Sequence, residues 1–168
     1  MSPEIRPEIR DVTDADLAAV LALNQAALPH VSSVGLEDMR RFAGEASRFR
    51  IVQEAGHVAG FLIALSPGLA YASDNYRWFC AAYDDFLYID RIVINEAARG
   101  RGLGKVLYGD IIATARTLAP ILTCEVNSRP PNPQSMAFHE AFGFAPVGTQ
   151  ATEGGTKEVT LLSLDLKT

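Results

Sequence analysis

The chain has 168 residues, with 15 Lys and Arg against 20 Asp and Glu, a net charge of −5 and a pI near 5.2. Binding to nucleic acid or to an anionic membrane draws on clustered Lys and Arg, so this balance argues against both and leaves room only for a local basic loop. A composition of 48% hydrophobic and 21% charged residues fits one globular domain spanning residues 1–168.

The start, Met1-Ser2-Pro3-Glu4-Ile5-Arg6, lacks the basic head and apolar core of a signal peptide, and no apolar run approaches about 18 residues. A cytoplasmic protein is expected. Cys80 and Cys124 are far apart, without a C-x-x-C pair or a His at ligand spacing, so neither a disulfide framework nor a metal site is expected.

In chain order, Glu8 to Val12 reads as a strand. Thr13-Asp14 then offers an N-cap to a helix carrying Leu17, Val20 and Leu21, which Pro29 closes. Leu36 to Ala46 reads as a second, shorter helix. Phe49 to Gln53 and His57 to Leu65, joined through Glu54-Ala55-Gly56, predict a β-hairpin with Gly in the turn. Residues 69 to 85 hold Tyr71, Tyr76, Trp78, Phe79 and Tyr83 among small and polar residues. They are too irregular for a strand and too aromatic for a linker, so they read as a lid with a short helix near Tyr76 to Ala81. A strand over Phe86 to Ile94, a helix over Gly104 to Leu118 and a strand over Ile121 to Asn127 follow. Beyond the stiff loop Ser128 to Pro133, a helix from about Gln134 to Phe142 ends at Gly143, and Phe144 to Thr149 and Glu158 to Leu166 are strands. The hairpins must be antiparallel and the strand-helix-strand unit parallel. An α/β fold is therefore expected, with a mixed central sheet of about six to seven strands and about four helices.

The most informative run is Ile89 to Leu107, where an apolar strand passes through a short polar loop into a glycine-rich helix start. Amides there have no intrahelical acceptor, they lie at the positive end of the helix dipole, and Gly100, Gly102 and Gly104 let the backbone approach an anion. A Walker A loop is excluded, because the glycine spacing is one residue short and Val106 stands where Ser or Thr must hold magnesium. A dinucleotide fingerprint needs Gly where Lys105 stands.

The run instead reads R-x-x-G-x-G, as Arg99-Gly100-Arg101-Gly102-Leu103-Gly104. A second segment follows, Asn132 and then Ser135-Met136-Ala137-Phe138-His139-Glu140-Ala141-Phe142-Gly143-Phe144. In these two motifs and its element order the chain resembles the GNAT superfamily of acyl-CoA-dependent N-acetyltransferases. The resemblance implies a GNAT-like fold and acetyl-CoA as acyl-donor cosubstrate. It implies that amides of Arg99, Gly100, Arg101, Gly102, Leu103 and Gly104 hold the pyrophosphate, and that the strand at Ile92, Val93 and Ile94 bonds the pantetheine arm and acetyl carbonyl. Asn132 and Ser135 are further cofactor contacts by the same resemblance, although Asn132 also reads as a loop residue supporting its own turn.

Amine acetylation needs a base for the attacking amine and an acid for the departing thiolate. Glu125 matches a position that carries the catalytic Glu in some family members, and it also reads as a carboxylate paired at a strand end. Tyr88 and Asp90 share one strand face with Ile92. Other members place their base at the position of Tyr88, while Asp90 reads as base, as anchor for a cationic amine or as a partner of Arg91. His139 stands where the family usually has Tyr, as an acid or as a packed ring.

The implied acceptor is a primary amine of a small molecule or peptide, bordered by Leu28 to Gly35, Tyr71 to Tyr83 and Gln150 to Gly155. No nucleic acid or membrane partner and no metal are expected, and a homodimer stays open. A second function class also stays open: a catalytically weak acyl-CoA-binding or regulatory module on the same fold.

Overall fold

A computed structural model describes residues 6–167. The reading of the first five residues as no signal peptide therefore lies outside the described residues. Contacts gather the chain into two compact units. One holds the chain up to Leu65 together with Asp90–Ala113, and the other holds Ser66–Ile89 together with the chain from Thr114.

The first unit contains β1 (Glu8–Asp11), α1 (Leu17–Ala26), α2 (Leu36–Glu45), β2 (Arg48–Glu54), β3 (His57–Leu65), the end of β4 (Leu87–Ile94) and most of α4 (Leu103–Ala115). β1 and β2 pair antiparallel, and β2 turns into β3 through Glu54↔His57. The two-residue turn between them has φ 49° at Ala55 and 80° at Gly56, the left-handed pair that matches strand twist in a tight hairpin. β3 is buried continuously from Ala59 to Leu65, as its unbroken apolar run requires of a strand covered on both faces. As expected, Thr13 is the N-cap, here of a 3-10 turn (Asp14–Asp16) that runs into α1, and Asp16 accepts bonds back from the Thr13 amide (2.7 Å) and hydroxyl (2.9 Å). Asp16 also takes both guanidinium nitrogens of Arg10 at 2.7 and 2.9 Å, and these bonds hold its carboxyl well below the usual range.

The second unit contains α3 (Asp74–Ala82), the start of β4, β5 (Ile121–Arg129), α5 (Pro133–Phe142), β6 (Ala145–Thr152) and β7 (Lys157–Asp165). β4 runs parallel to β5 at Leu87↔Leu122 and Tyr88↔Thr123, while β7 pairs antiparallel with both β5 and β6. β4 belongs to both units, and the hydrogen-bonded strand order is β1-β2-β3-β4-β5-β7-β6. The sheet is thus mixed and seven-stranded.

Among the described residues there are five α-helices rather than about four. The additional one is α3, where the sequence predicts a lid with only a short helix. Ser73 caps it by accepting from the Tyr76 amide at 3.2 Å, and Tyr76 and Phe79 are buried. Their rings lie 5.7 and 5.6 Å from that of Tyr88. The aromatic residues that make the segment look irregular are thus its buried face. No described helix is long and apolar enough to cross a membrane.

Candidate active site

In the first unit, β4 leads into a 3-10 turn at Glu96–Ala98 and then into α4. Asn95 holds this exit from both sides: its amide donates to the Ala59 carbonyl at 2.7 Å and its Oδ1 accepts from the Ala97 amide at 3.1 Å. Gly60 sets how closely β3 approaches β4, because a Cβ there would stand 2.7 Å from the Val93 carbonyl and from Ile94 Cδ1.

Gly100 and Gly102 have φ of 82° and 76°, a region that side chains resist, yet an added Cβ at either would meet nothing within 4 Å. Backbone shape therefore demands glycine here, and the space over the loop stays open. Gly102 accepts the first helical bond of α4, from the Val106 amide at 3.1 Å, so the amides of Leu103, Gly104 and Lys105 begin the helix without intrahelical acceptors. This is the geometry of an anion cradle. The Arg101 guanidinium is engaged by Glu54 at 3.1 Å, whereas Arg99 and Lys105 are exposed. Arg50 bonds Asp110 through Nε and Nη2 at 3.0 and 3.1 Å, which fixes α4 to β2.

In the second unit, β5 presents Glu125 half-buried. The Tyr88 hydroxyl donates to it, 2.9 Å from Oε1 and 2.8 Å from Oε2, and Asn75 of α3 donates from Nδ2 to Oε1 at 3.2 Å. Gln150 of β6 in turn donates to Asn75 Oδ1 at 3.1 Å. Two of the sequence candidates, Glu125 and Tyr88, are thus brought together, and Asn75 and Gln150 join them. Tyr88 is 1% exposed, so its hydroxyl meets Glu125 on a rigid stem.

The other candidates have different surroundings. Asp90 accepts from Arg91 Nε at 2.7 Å, with both side chains 4% exposed. Arg91 also donates to Asn24 Oδ1 (2.9 Å), the Ser32 carbonyl (3.1 Å) and Ser32 Oγ (3.0 Å), and lies over the Phe42 ring. Within the first unit, this pair ties β4 to α1, to α2 and to the connection between them. His139 is buried, with its ring 5.5 Å from Phe138 and 5.4 Å from Phe144. Its Nδ1 lies 2.7 Å from the Ser135 carbonyl, which can only accept, so the proton is on Nδ1. Burial lowers the imidazole pKa, partly offset by that bond.

Asn132 caps α5, with Oδ1 accepting from the Ser135 amide at 3.1 Å, Pro133 at the first helical position and Gly143 ending the helix at φ 101°. The Asn132 residue is exposed. A separate cavity of about 460 Å³ opens beside α3, lined by Tyr71, Tyr76, Tyr83, Arg77 and Asp84 among others, and Asn75 is not in its wall. Among the described residues, no group of three or more His, Cys, Asp or Glu is placed to hold a metal ion.

The model of the acetyltransferase (GNAT) family matches residues 17–144, from the start of α1 to the residue after Gly143. The chain belongs to the GNAT family. No curated protein matches its sequence. Solved structures share its fold at low identity. The ribosomal-protein-S18-alanine N-acetyltransferase of Escherichia coli has a TM-score of 0.74 at 18% identity, covering 97% of this chain and 96% of that one. NAA60 of Arabidopsis thaliana, in complex with acetyl-CoA, has a TM-score of 0.75 at 16% identity over 95% and 99% of the two chains. yncA of Salmonella typhimurium, with its cofactor acetyl-CoA, has 0.73 at 20% over 97% and 95%.

Family membership accounts for the motifs and the element order. It does not name the polar groups that this chain adds. Sequence reasoning missed Asn75 and Gln150 as partners of Glu125, because each is an ordinary polar residue in a segment read only as a wall. It also missed Gly60, whose one visible signal was a glycine inside an apolar strand.

Proposed function

We propose that this GNAT protein is an acetyl-CoA-dependent N-acetyltransferase that moves an acetyl group to the primary amine of a small molecule or peptide by direct attack in a ternary complex. The observation that carries this reading is Glu125, a half-buried carboxylate on β5 held by Tyr88 and Asn75. The open, left-handed glycine loop before α4 supports the donor side.

Acetyl-CoA, when bound, supplies an activated acyl group on sulfur. In this reading the amides from Arg99 to Gly104 hold its pyrophosphate, with Arg99 and Lys105 adding charge and Arg101 acting through its backbone while Glu54 holds its guanidinium. Backbone groups at Ile92, Val93 and Ile94 pair with the amides of the pantetheine arm and polarise the thioester carbonyl. The Asn132 amide and Ser135 complete the donor contacts. Glu125 takes the proton of the attacking amine, directly or through one water, as the C–N bond forms and the C–S bond breaks, and the departing thiolate takes its proton from solvent. Tyr88 keeps the carboxylate in one place and donates to its charge. Asp90 is assigned to Arg91 as an anchor of the first unit rather than as the base.

One observation favours a second reading, a catalytically weak acyl-CoA-binding module. The family's usual Tyr is His139 here, and its proton sits on Nδ1 facing a backbone carbonyl, where it is not available to a thiolate. Acetyl-CoA turnover read as free thiol release separates the two, using a panel of polyamines, aromatic amines, amino acids and peptides with free N-termini. At least one amine class is expected to raise release well above hydrolysis. Tight acetyl-CoA binding with no amine-dependent release would leave the module reading in its place.

A further inference from the structure

We propose that Asn75 is a positioning residue for Glu125 and that Gln150 locks Asn75 in the one orientation that can serve. The proposal rests on the reading of Glu125 as the base. An ionised carboxylate only accepts, so Asn75 must turn Nδ2 toward Oε1, as it does at 3.2 Å. That places Oδ1 toward β6, where Gln150 meets it with Nε2 at 3.1 Å. Flipping the Asn75 amide would set oxygen against carboxylate and NH₂ against NH₂, so the chain runs in one direction from β6 through α3 to β5.

Asn75 is delivered to this spot by the packing of α3. Ser73 caps the helix two residues before it. One residue after it, the Tyr76 hydroxyl donates to the Ser66 carbonyl at 2.7 Å and accepts from the Leu69 amide at 3.0 Å. Three residues after it, Trp78 lies against Gly148 of β6, where an added Cβ would stand 2.7 Å from the ring. The helix is pinned on both sides of Asn75, and the donor cannot drift without unpacking it. Tyr88 of β4 and, on the same strand as Glu125, Cys124 are titratable groups placed against Glu125 within this unit, and burial pushes the Cys124 thiol up with a smaller contribution from Glu125. α3, β6 and β7 bring neutral groups: Asn75, Gln150 and, opposite Glu125 in register, Leu161. Losing the Asn75 donor therefore disfavours the charged carboxylate, and losing Gln150 does the same only through Asn75.

The test is a carboxyl titration by NMR on full-length protein labelled with carbon-13 at the Glu side-chain carboxyl, with the Glu125 signal assigned by its absence in Glu125→Gln. Asn75→Leu is expected to raise the Glu125 midpoint by about 0.5–1 pH unit. Gln150→Met should move it the same way by less, and the double variant should match Asn75→Leu alone, since neighbours in one chain are not additive. An unmoved midpoint in Asn75→Leu, or additive shifts in the double variant, overturns the proposal. If Asn75→Leu does not fold, Gln150→Met on the outer strand decides, and an unmoved midpoint there overturns it equally. Turnover with the amine panel keeps the two readings apart. Asn75→Leu should lower kcat with the KM for acetyl-CoA unchanged. Normal turnover in Glu125→Gln would remove Glu125 as base, whether or not the titration shift is seen.

Discussion

The loop from Asn95 to Gly104 and the cluster around Glu125 differ in how far apart their parts lie in the chain. The loop is ten consecutive residues whose shape is set by backbone: two left-handed glycines, an Asn that bonds on both sides and a helix start. The cluster draws residues 75, 88, 125 and 150 from α3, β4, β5 and β6. Binding a phosphate needs only amides pointing the same way, which a short segment supplies by itself. Holding one carboxylate for proton transfer needs donors converging from several directions, which only packed elements supply. The first can be altered by bending the chain locally, the second by removing a single side-chain atom group.

The sharpest break in that contrast is Glu125→Gln. If the cluster carries the chemistry and the loop the donor, kcat should fall about 10²–10⁴-fold while acetyl-CoA affinity stays within a factor of about two. Steady-state rates together with calorimetric titration of acetyl-CoA would check it, and equal losses in both would mean that the two regions are not separable. Next in size is Gly60→Ala. The new Cβ meets the Val93 carbonyl at 2.7 Å, so β3 and β4 must shift, at a cost of about 1–3 kcal/mol in denaturant unfolding. Unfolding free energy within error of the parent would show that the strands accommodate it. Smaller again is Gly102→Val. The space is open, but φ of 76° suits a β-branched residue poorly, so the loop should distort, with an acetyl-CoA affinity loss of about tenfold and kcat largely kept. Unchanged affinity would take the pyrophosphate away from this loop.

The same contrast explains what could be read from the sequence. Gly100 and Gly102 announce themselves because few other residues fit a left-handed turn before a helix, and the apolar run at 121 to 126 announces β5 and makes Glu125 conspicuous within it. The hairpin turn at Ala55-Gly56 and the end of α5 at Gly143 follow the same local logic. α3 was legible in part: the sequence predicts a short helix near Tyr76 to Ala81 within a lid, but it did not show that the aromatic residues are a buried face, because Tyr88 and Phe86 supply the surface they cover only in the fold. Nor did the Asp90–Arg91 pair show its role: that depends on Asn24, Ser32 and Phe42, which lie about 50 to 70 positions away and come into reach only when α1 and α2 fold onto β4. Polar partners chosen by tertiary contact leave no period or spacing to find.

His139 tests the boundary between packing and chemistry with the smallest effect. Its ring lies between Phe138 and Phe144, and burial lowers its pKa in the folded state, the Ser135 carbonyl offsetting only part of the shift. A folded value below the unfolded one means that the unfolded chain takes up a proton first as pH falls. His139 therefore costs no stability above about pH 6.5, the ordinary imidazole value, and destabilises the fold increasingly below it, until pH passes the lowered folded value. His139→Phe should keep the ring's packing and remove this dependence. Urea unfolding at pH 7.5 and pH 5.5 should then show a smaller loss of stability on acidification in the variant than in the parent. The kinetic counterpart decides the role. A ring whose proton faces a carbonyl is a poor donor to a leaving thiolate, so His139→Phe is expected to keep kcat at pH 7.5. A large fall in kcat with stability intact would return His139 to the chemistry and make the active site depend on α5 as well as on the Glu125 cluster.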